Sequence, residues 1–545
     1  MSKRFRRHQV PSASEEDDLR QALDALSAPD LRQAVRAILD ELDEDLHASI
    51  VDRLVAQATK AATGWKPARP PQRIVADAQS FADAARRVGH TDPDEVTRHL
   101  RLATKAFLAG DHLSARGVFE ALLPPIAAAE IDLGQHELVD EVLGVDAHMC
   151  VAQYVASVYK TTPLDARVDA VLRAIEDAEG VGTLLSPIKD LEDVCAGSVP
   201  ELDAFLPLWV SRLERFRPSK DEWETAHERW LREAVLRLEG VDGLERLARK
   251  TRRPQACLAW CEAVADSRRW RDALKAYEAA AKIVGASHWR GALLDGAALA
   301  AQELGRPDFT ACLGRAWRAA PTVTRLVRWL AAGRGRPPTM RAQAVKALPH
   351  CPKNEGRQVG LLQLLAGDVH AAAATLSKAP GLGWSSEGHP GHVLFPAFAM
   401  LVARGRQWDI APVLVSNLEA ATADSLDAFR DAAERRATLR SPSMMQFVRD
   451  ACAGVVLCDA ERVVLHDAMV VAGQKRVDGI VGASRRRHYA HAATLVAACV
   501  ACAPEDVEKA TSGWVAGLRR THSRKHAFRE ELTRALAAVG VHAHL

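Results

Sequence analysis

The chain has 545 residues, a formal net charge of +2, 48% hydrophobic and 26% charged residues, values that fit a folded chain and exclude a polycation or a highly charged disordered polymer. This length exceeds one ordinary core, so several domains or one extended array are expected. Aromatics make up only 5%, alanine is plentiful, and alternating Val/Ile/Thr runs between turn residues are nearly absent. Together these point to helix rather than sheet. Ten cysteines in so long a chain do not make a disulfide framework. The opening MSKRFRRHQVPSASEEDD has no apolar stretch behind its basic residues, and nothing approaches about 18 uninterrupted apolar residues. Neither a secretory leader nor a membrane span is therefore expected, and the cytoplasm, with reduced thiols, is the default location.

In chain order, residues 1–14 are polar and basic, the composition of a disordered tail. Residues 15–63 form an acidic segment of two short amphipathic helices. The second begins at Pro29-Asp30 and carries Leu31, Val35, Ile38, Leu39 and Leu42 on one face. GWKPARPPQR (64–73) cannot continue a helix and reads as a linker. Helices are expected at Ile74–Val88 and Asp94–Leu108, the latter started by Thr91-Asp92-Pro93. Others are expected around Val139–Val158, Leu164–Glu179 and Leu202–Phe216. Lys220–Leu238 reads as a long charged helix with Trp223 and Trp230 on one face. Residues 74–332 form a helical-repeat region and 333–357 a breaker region, from GRGRPPTMR and LPHCPKNEGR. Residues 358–545 form a second helical-repeat region with a basic tail. Its helices are expected at Phe395–Arg404, Ala411–Ala421, Leu426–Thr438, Ser443–Leu457, Arg462–Val471, Tyr489–Ala503, Val507–Arg519 and Lys525–Val539.

The organising stretch is Gln255–Gln302, where Trp270, Ala273, Leu274, Tyr277 and Ala280 recur at three- and four-residue steps, one face of a helix. Small, large and small residues in that order let neighbouring helices interlock, as in tetratricopeptide arrays. AGDHLSARGVFEALL repeats the pattern with Ala115, Phe119 and Leu122, and AGDVHAAAATLSKA with Ala372, Leu376 and Ala379. Gly110-Asp111 and Gly367-Asp368 serve as turn and cap. The fold class expected is all-α, an irregular TPR-like helical-repeat solenoid with a small N-terminal helical appendage.

Two stretches carry a resemblance. Asp94–Tyr159, with AGDHLSARGVFEALL and VDEVLG, is similar to helical regions that accompany SWIM-type zinc fingers in bacterial proteins. So is the tail, through Tyr489, Ala492, Leu495, Trp514, Leu518, Arg519, Arg524, Phe528 and Leu532. The finger itself needs Cys-x-Cys and then Cys-x-His, and neither occurs here. The resemblance thus implies a helical scaffold, and the nucleic-acid role often supposed for the finger does not carry over.

GLGWSSEGHPGHVLFP gathers Glu387, His389 and His392 within six residues, beside Trp384, Ser385 and Ser386. Imidazole and carboxylate could form part of a metal site, and Ser385 or Ser386 with His389 could form a nucleophile and base. Glu387 breaks the Gly-x-Ser-x-Gly elbow, and the histidines lack the spacing of a zincin. A turn into the following helix, capped by histidine, is the favoured reading. Cys499 and Cys502 form a Cys-x-x-Cys near His488 and His491, but His491 and Cys499 stand roughly 12 Å apart along a helix, so core burial is favoured. Cys257 and Cys261 read the same way. Phosphate loops and His-Glu-x-x-His are absent, and no catalytic, cofactor-binding or metal residue is assigned.

Arginine clusters are the remaining lead: Arg315, Arg318, Arg325 and Arg328 with Trp317 and Trp329, and Arg519, Arg520 and Arg524 in the tail. They make the candidate partner-binding set. The leading expectation is a non-enzymatic scaffold or adaptor that binds a protein or peptide on its helical surface. The first alternative is a nucleic-acid-binding repeat protein using those arginines on phosphates and tryptophans on bases. The second is a metal-dependent hydrolase at Glu387, His389 and His392.

Overall fold

The computed structural model describes residues 20–61, 63–136, 138–221, 223–333, 337–386, 388–403, 412–421 and 437–540. The tail expected at 1–14, the side chain of Glu387 and most of the helix expected at Leu426–Thr438 lie outside these. Every regular element among the described residues is helical, with one isolated bridge between His90 and Asp132. Among the described residues, no helix is long and apolar enough to cross a membrane. The chain divides into two compact units, Met1–Gly243 and Leu244–Leu545. This division falls inside the region read from sequence as one stretch, 74–332.

The first unit holds α1 (Ala28–Glu41), α2 (Glu44–Lys60), α3 (Ile74–Val88), α4 (Pro93–Leu108), α5 (His112–Ala127), α6 (Ala147–Thr161), α7 (Leu164–Asp177), α8 (Pro187–Val194) and α9 (Leu202–Leu213). Asp92 caps α4 through the Asp94 N–H, with Pro93 inside the first turn. Gly110 takes φ +82°, a left-handed turn that a Cβ would strain, and Asp111 accepts from Ser114 N–H to start α5. Ala115, Phe119 and Leu122 are then fully buried. α6 is buried on nearly every side from Cys150 to Tyr159, the mark of a central helix; it packs on α5, α7 and α8. By contrast α1 buries no residue; its predicted apolar face lies open, with Ile38 56% exposed.

The helix expected at Lys220–Leu238 starts later, in α10 (Ala226–Thr251), which is broken at Gly240. Thr225 and Glu228 explain the start. Glu228 accepts from the Thr225 N–H and the Thr225 hydroxyl accepts from the Glu228 N–H, a reciprocal cap. Trp223 is left outside and 78% exposed, while Trp230 is buried and donates to the Leu184 carbonyl at 2.9 Å. The two tryptophans therefore do not share a helical face.

The second unit continues with α11 (Pro254–Asp266), α12 (Trp270–Ile283), α13 (Ser287–Glu303), α14 (Phe309–Ala319), α15 (Val323–Ala332), α16 (Pro337–Ala347), α17 (Gly356–Ala366) and α18 (Val369–Lys378). It is completed by α19 (Gly391–Val402), α20 (Pro412–Ala420), α21 (Met444–Ala453), α22 (Asp459–Val481), α23 (Tyr489–Ala501), α24 (Glu505–Thr521) and α25 (His526–Ala538). From α11 to α18 each helix packs on the next. The interlock of large and small is physical: a Cβ on Gly296 would stand 2.2 Å from the Tyr277 ring, so α13 can approach α12 only with glycine there. Gly367 (φ +87°) and Asp368, which accepts from Ala371 N–H, repeat the turn and cap of α5. The region read as a breaker, 333–357, carries α16, because Pro337 and Pro338 fall in its first turn, where proline is tolerated. The long α22 then packs on α18, α19 and α23. The tail's Tyr489, Ala492, Leu495, Leu518, Phe528 and Leu532 are all buried.

Candidate interaction groove

The histidine loop buries Trp384 and His389, while Ser385 and Ser386 stay exposed. His389 Nδ1 accepts from the Gly391 N–H at 3.0 Å, so its Nε2 carries the proton and donates to the Pro380 carbonyl at 2.8 Å. Both ring nitrogens are thus committed to backbone, and His389 caps the start of α19. Trp384, 2% exposed, packs against His389, His392, Phe395 and His491 at ring separations of 5.3 to 6.0 Å. The Arg476 guanidinium lies 5.6 Å from the Trp384 ring centre and donates to the Gly381 carbonyl. Arg357 donates to the His389, Trp384 and Ser385 carbonyls.

Burial, with Arg476 and Arg357 close by, pushes His392 down to about 4. Burial and Arg476 push His491 down to about 3. Among the described residues, no three His, Cys, Asp or Glu side chains gather at metal-binding distance. Cys499 and Cys502 are fully buried, and burial raises the Cys499 thiol. Cys257 and Cys261 are buried as well.

The arginines of α14 and α15 are engaged with neighbouring groups, but only Arg325 is buried, while Arg315 and Arg318 are exposed. Arg325 is buried, 2.7 Å from Asp295, and donates to the Ala320 carbonyl. Arg315 pairs with Glu278 at 2.9 Å, and Arg318 lies over the Trp329 ring. Trp317 is fully buried, donates to Gln358 Oε1 and stacks on Trp329 at 5.3 Å. Neither indole presents a free face of the kind base stacking needs. Arg519 and Arg520 end α24 and Arg524 is exposed beyond it; none of the three lines the groove described next.

Arg328 alone of the predicted set lines an open groove of about 580 Å³. The end of α13 supplies Gln302, the turn supplies Arg306, α14 supplies Phe309 and Leu313, and α15 supplies Arg328 and Ala331. A non-helical run, 437–442, borders it. Gln302 Nε2 donates to the Thr438 carbonyl at 3.1 Å, and its Oε1 accepts from the Arg440 N–H at 2.9 Å. One amide side chain thus satisfies both polar groups flanking Leu439, which packs on a small cluster of Ala298, Ala301, Cys312 and Leu313. Arg328 Nε donates to the Ser441 hydroxyl at 2.6 Å. Arg306 is paired with Asp308.

Sequence reading missed Gln302, Phe309 and Leu439, and extended a helix to Thr438 that is absent at 437 and 438. The available signal was Pro442 followed by Ser443. Ser443 caps α21 by accepting from Gln446 N–H, and the residue before a proline avoids the helical region. No protein-family model matches this chain, and no curated protein matches it.

Proposed function

We propose that this chain is a non-enzymatic protein-binding scaffold, built on irregular TPR-like helical repeats, that holds an extended peptide in the groove of α13–α15. One observation carries the reading: the Gln302 amide grips an extended backbone through its N–H and C=O, independent of sequence, beside an apolar floor. Backbone pairing supplies affinity and a side-chain pocket supplies selectivity, the division of labour in extended-peptide recognition. The next-neighbour packing from α11 to α18 supports the solenoid part of the proposal. Ten free thiols, most of them buried, fit a reducing, cytoplasmic setting.

The nucleic-acid reading is weaker because Arg315 and Arg325 are neutralised by carboxylates and the two tryptophans are packed. The hydrolase reading is weaker because both nitrogens of His389 are already bonded to backbone.

Site-specific cross-linking tests the proposal. A photoreactive benzoylphenylalanine replaces Arg306 in the groove or, as control, the 87% exposed Val456, in nuclease-treated native lysate. A discrete protein adduct at 306 and none at 456 supports the scaffold. Equal adducts at both positions, or nucleic-acid adducts in untreated lysate that vanish with nuclease, overturn it.

A further inference from the structure

We infer that residues 437–442, which form one wall of the groove, are a displaceable segment seated on Gln302 and on the apolar floor under Leu439. They stand in for a partner peptide that is extended and carries leucine followed two residues later by an acidic side chain. This rests on the peptide-binding reading above and adds what the peptide is and what it must displace.

The run Ala437-Thr438-Leu439-Arg440-Ser441-Pro442 makes every contact expected of a bound ligand. Its backbone is gripped at Thr438 and Arg440 by Gln302, a residue 136 and 138 positions away. Its Leu439 side chain is seated on the apolar floor, and its Ser441 hydroxyl meets Arg328. Each contact is made with replaceable groups, since Thr438, Arg440 and Ser441 are exposed. The downstream end is anchored separately: Glu419 accepts from the Ser443 hydroxyl and from the Met444 and Met445 N–H groups. Releasing 437–442 therefore leaves the start of α21 held.

The charge pattern says what displaces it. Arg306, Arg315 and Arg325 each have a carboxylate. Arg328 has a neutral hydroxyl instead. The guanidinium already makes that bond charge-assisted, and a carboxylate at that position adds the attraction of opposite charges, which the hydroxyl lacks. An acidic competitor thus gains at Arg328 what the resident segment lacks. The resident segment in turn has the advantage of belonging to the same chain, which makes its seating intramolecular.

The test uses the full chain and a fluorescein-labelled peptide, Ala-Thr-Leu-Arg-Asp-Pro, read by fluorescence anisotropy. Leu439→Asp unseats the resident segment, and a variant with 437–442 replaced by Gly/Ser of equal length does so without adding charge. Both are expected to bind the peptide at least about tenfold more tightly than wild type. Adding Gln302→Ala to either is expected to abolish that gain. Equal affinity for wild type and both released variants, no binding by any of them, or binding indifferent to Gln302→Ala overturns the inference. The cross-link at position 306 separates the two claims. An adduct whose yield is the same in wild type and Leu439→Asp keeps the groove as a binding site and removes the displaceable segment. Loss of the adduct in both removes the groove itself.

Discussion

The loop at Gly381–Gly391 and the groove of α13–α15 gather similar side chains: arginine, aromatic rings and polar amides or imidazoles. In the loop, tight packing turns all of them inward. Trp384 is 2% exposed, and His389 has no nitrogen left. In the groove, Gln302 and Arg328 bond to an exposed, non-helical run of the same chain, beside open volume. Residue types that suggest chemistry are thus structural where neighbours saturate them. A plain glutamine becomes the better site candidate where its partners can be exchanged.

That contrast can be broken in four ways. The largest effect belongs to the loop. Trp384→Ala is expected to lower stability by about 3–5 kcal/mol in chemical denaturation, the usual result of emptying a buried aromatic site. Adduct formation at position 306 should persist wherever the variant is folded. A loss below about 1 kcal/mol would mean the loop is not core.

The second effect is pH dependence. His392 and His491 have folded values near 4 and 3, below the unfolded 6.5. Staying neutral, they leave the fold at full stability above pH 6.5 and weaken it as pH falls toward 4 and then 3. Melting temperature should fall over that window, and His491→Asn should flatten the fall; an unchanged slope would sink the assignment. In the first unit Glu233 has the opposite sign. Burial raises it from 4.5 to about 7, so its contribution is present below 4.5 and is lost as pH rises through 7.

The third effect is local. Gln302→Ala removes the two hydrogen bonds to the 437–442 run, each about 0.5–1.5 kcal/mol. Hydrogen exchange at Arg440 should accelerate while the global melt barely moves; unchanged exchange would show that Gln302 does not hold the run. The smallest effect is Arg328→Ala, within about 0.5 kcal/mol of wild type in stability. It should nevertheless remove the salt dependence of acidic-peptide binding by the released variants. A salt response that survives would place the charge contact elsewhere.

Helix positions were legible wherever a local signal set them. Ile74–Val88 was read to the residue, and the Gly-Asp turns before α5 and α18 behave as read because turn and cap are short-range. Errors came where a stronger local signal was overlooked. Thr225 and Glu228 start α10 late and strand Trp223 outside it. Pro337 and Pro338 open a helix rather than end one. The arginine set was harder, because Arg325 and Arg328 lie three apart on one helix and share a residue type. Asp295 buries the first and Ser441 meets the second, 30 and 113 positions away.

The sequence by itself determined the all-helical class, most helix boundaries and the buried faces, since these follow from spacing, caps and side-chain size within one or two turns. Only the tertiary structure decided which polar side chains are used up and which remain exchangeable. Hydrogen-bond satisfaction depends on partners brought together across more than a hundred residues, and no local pattern encodes them.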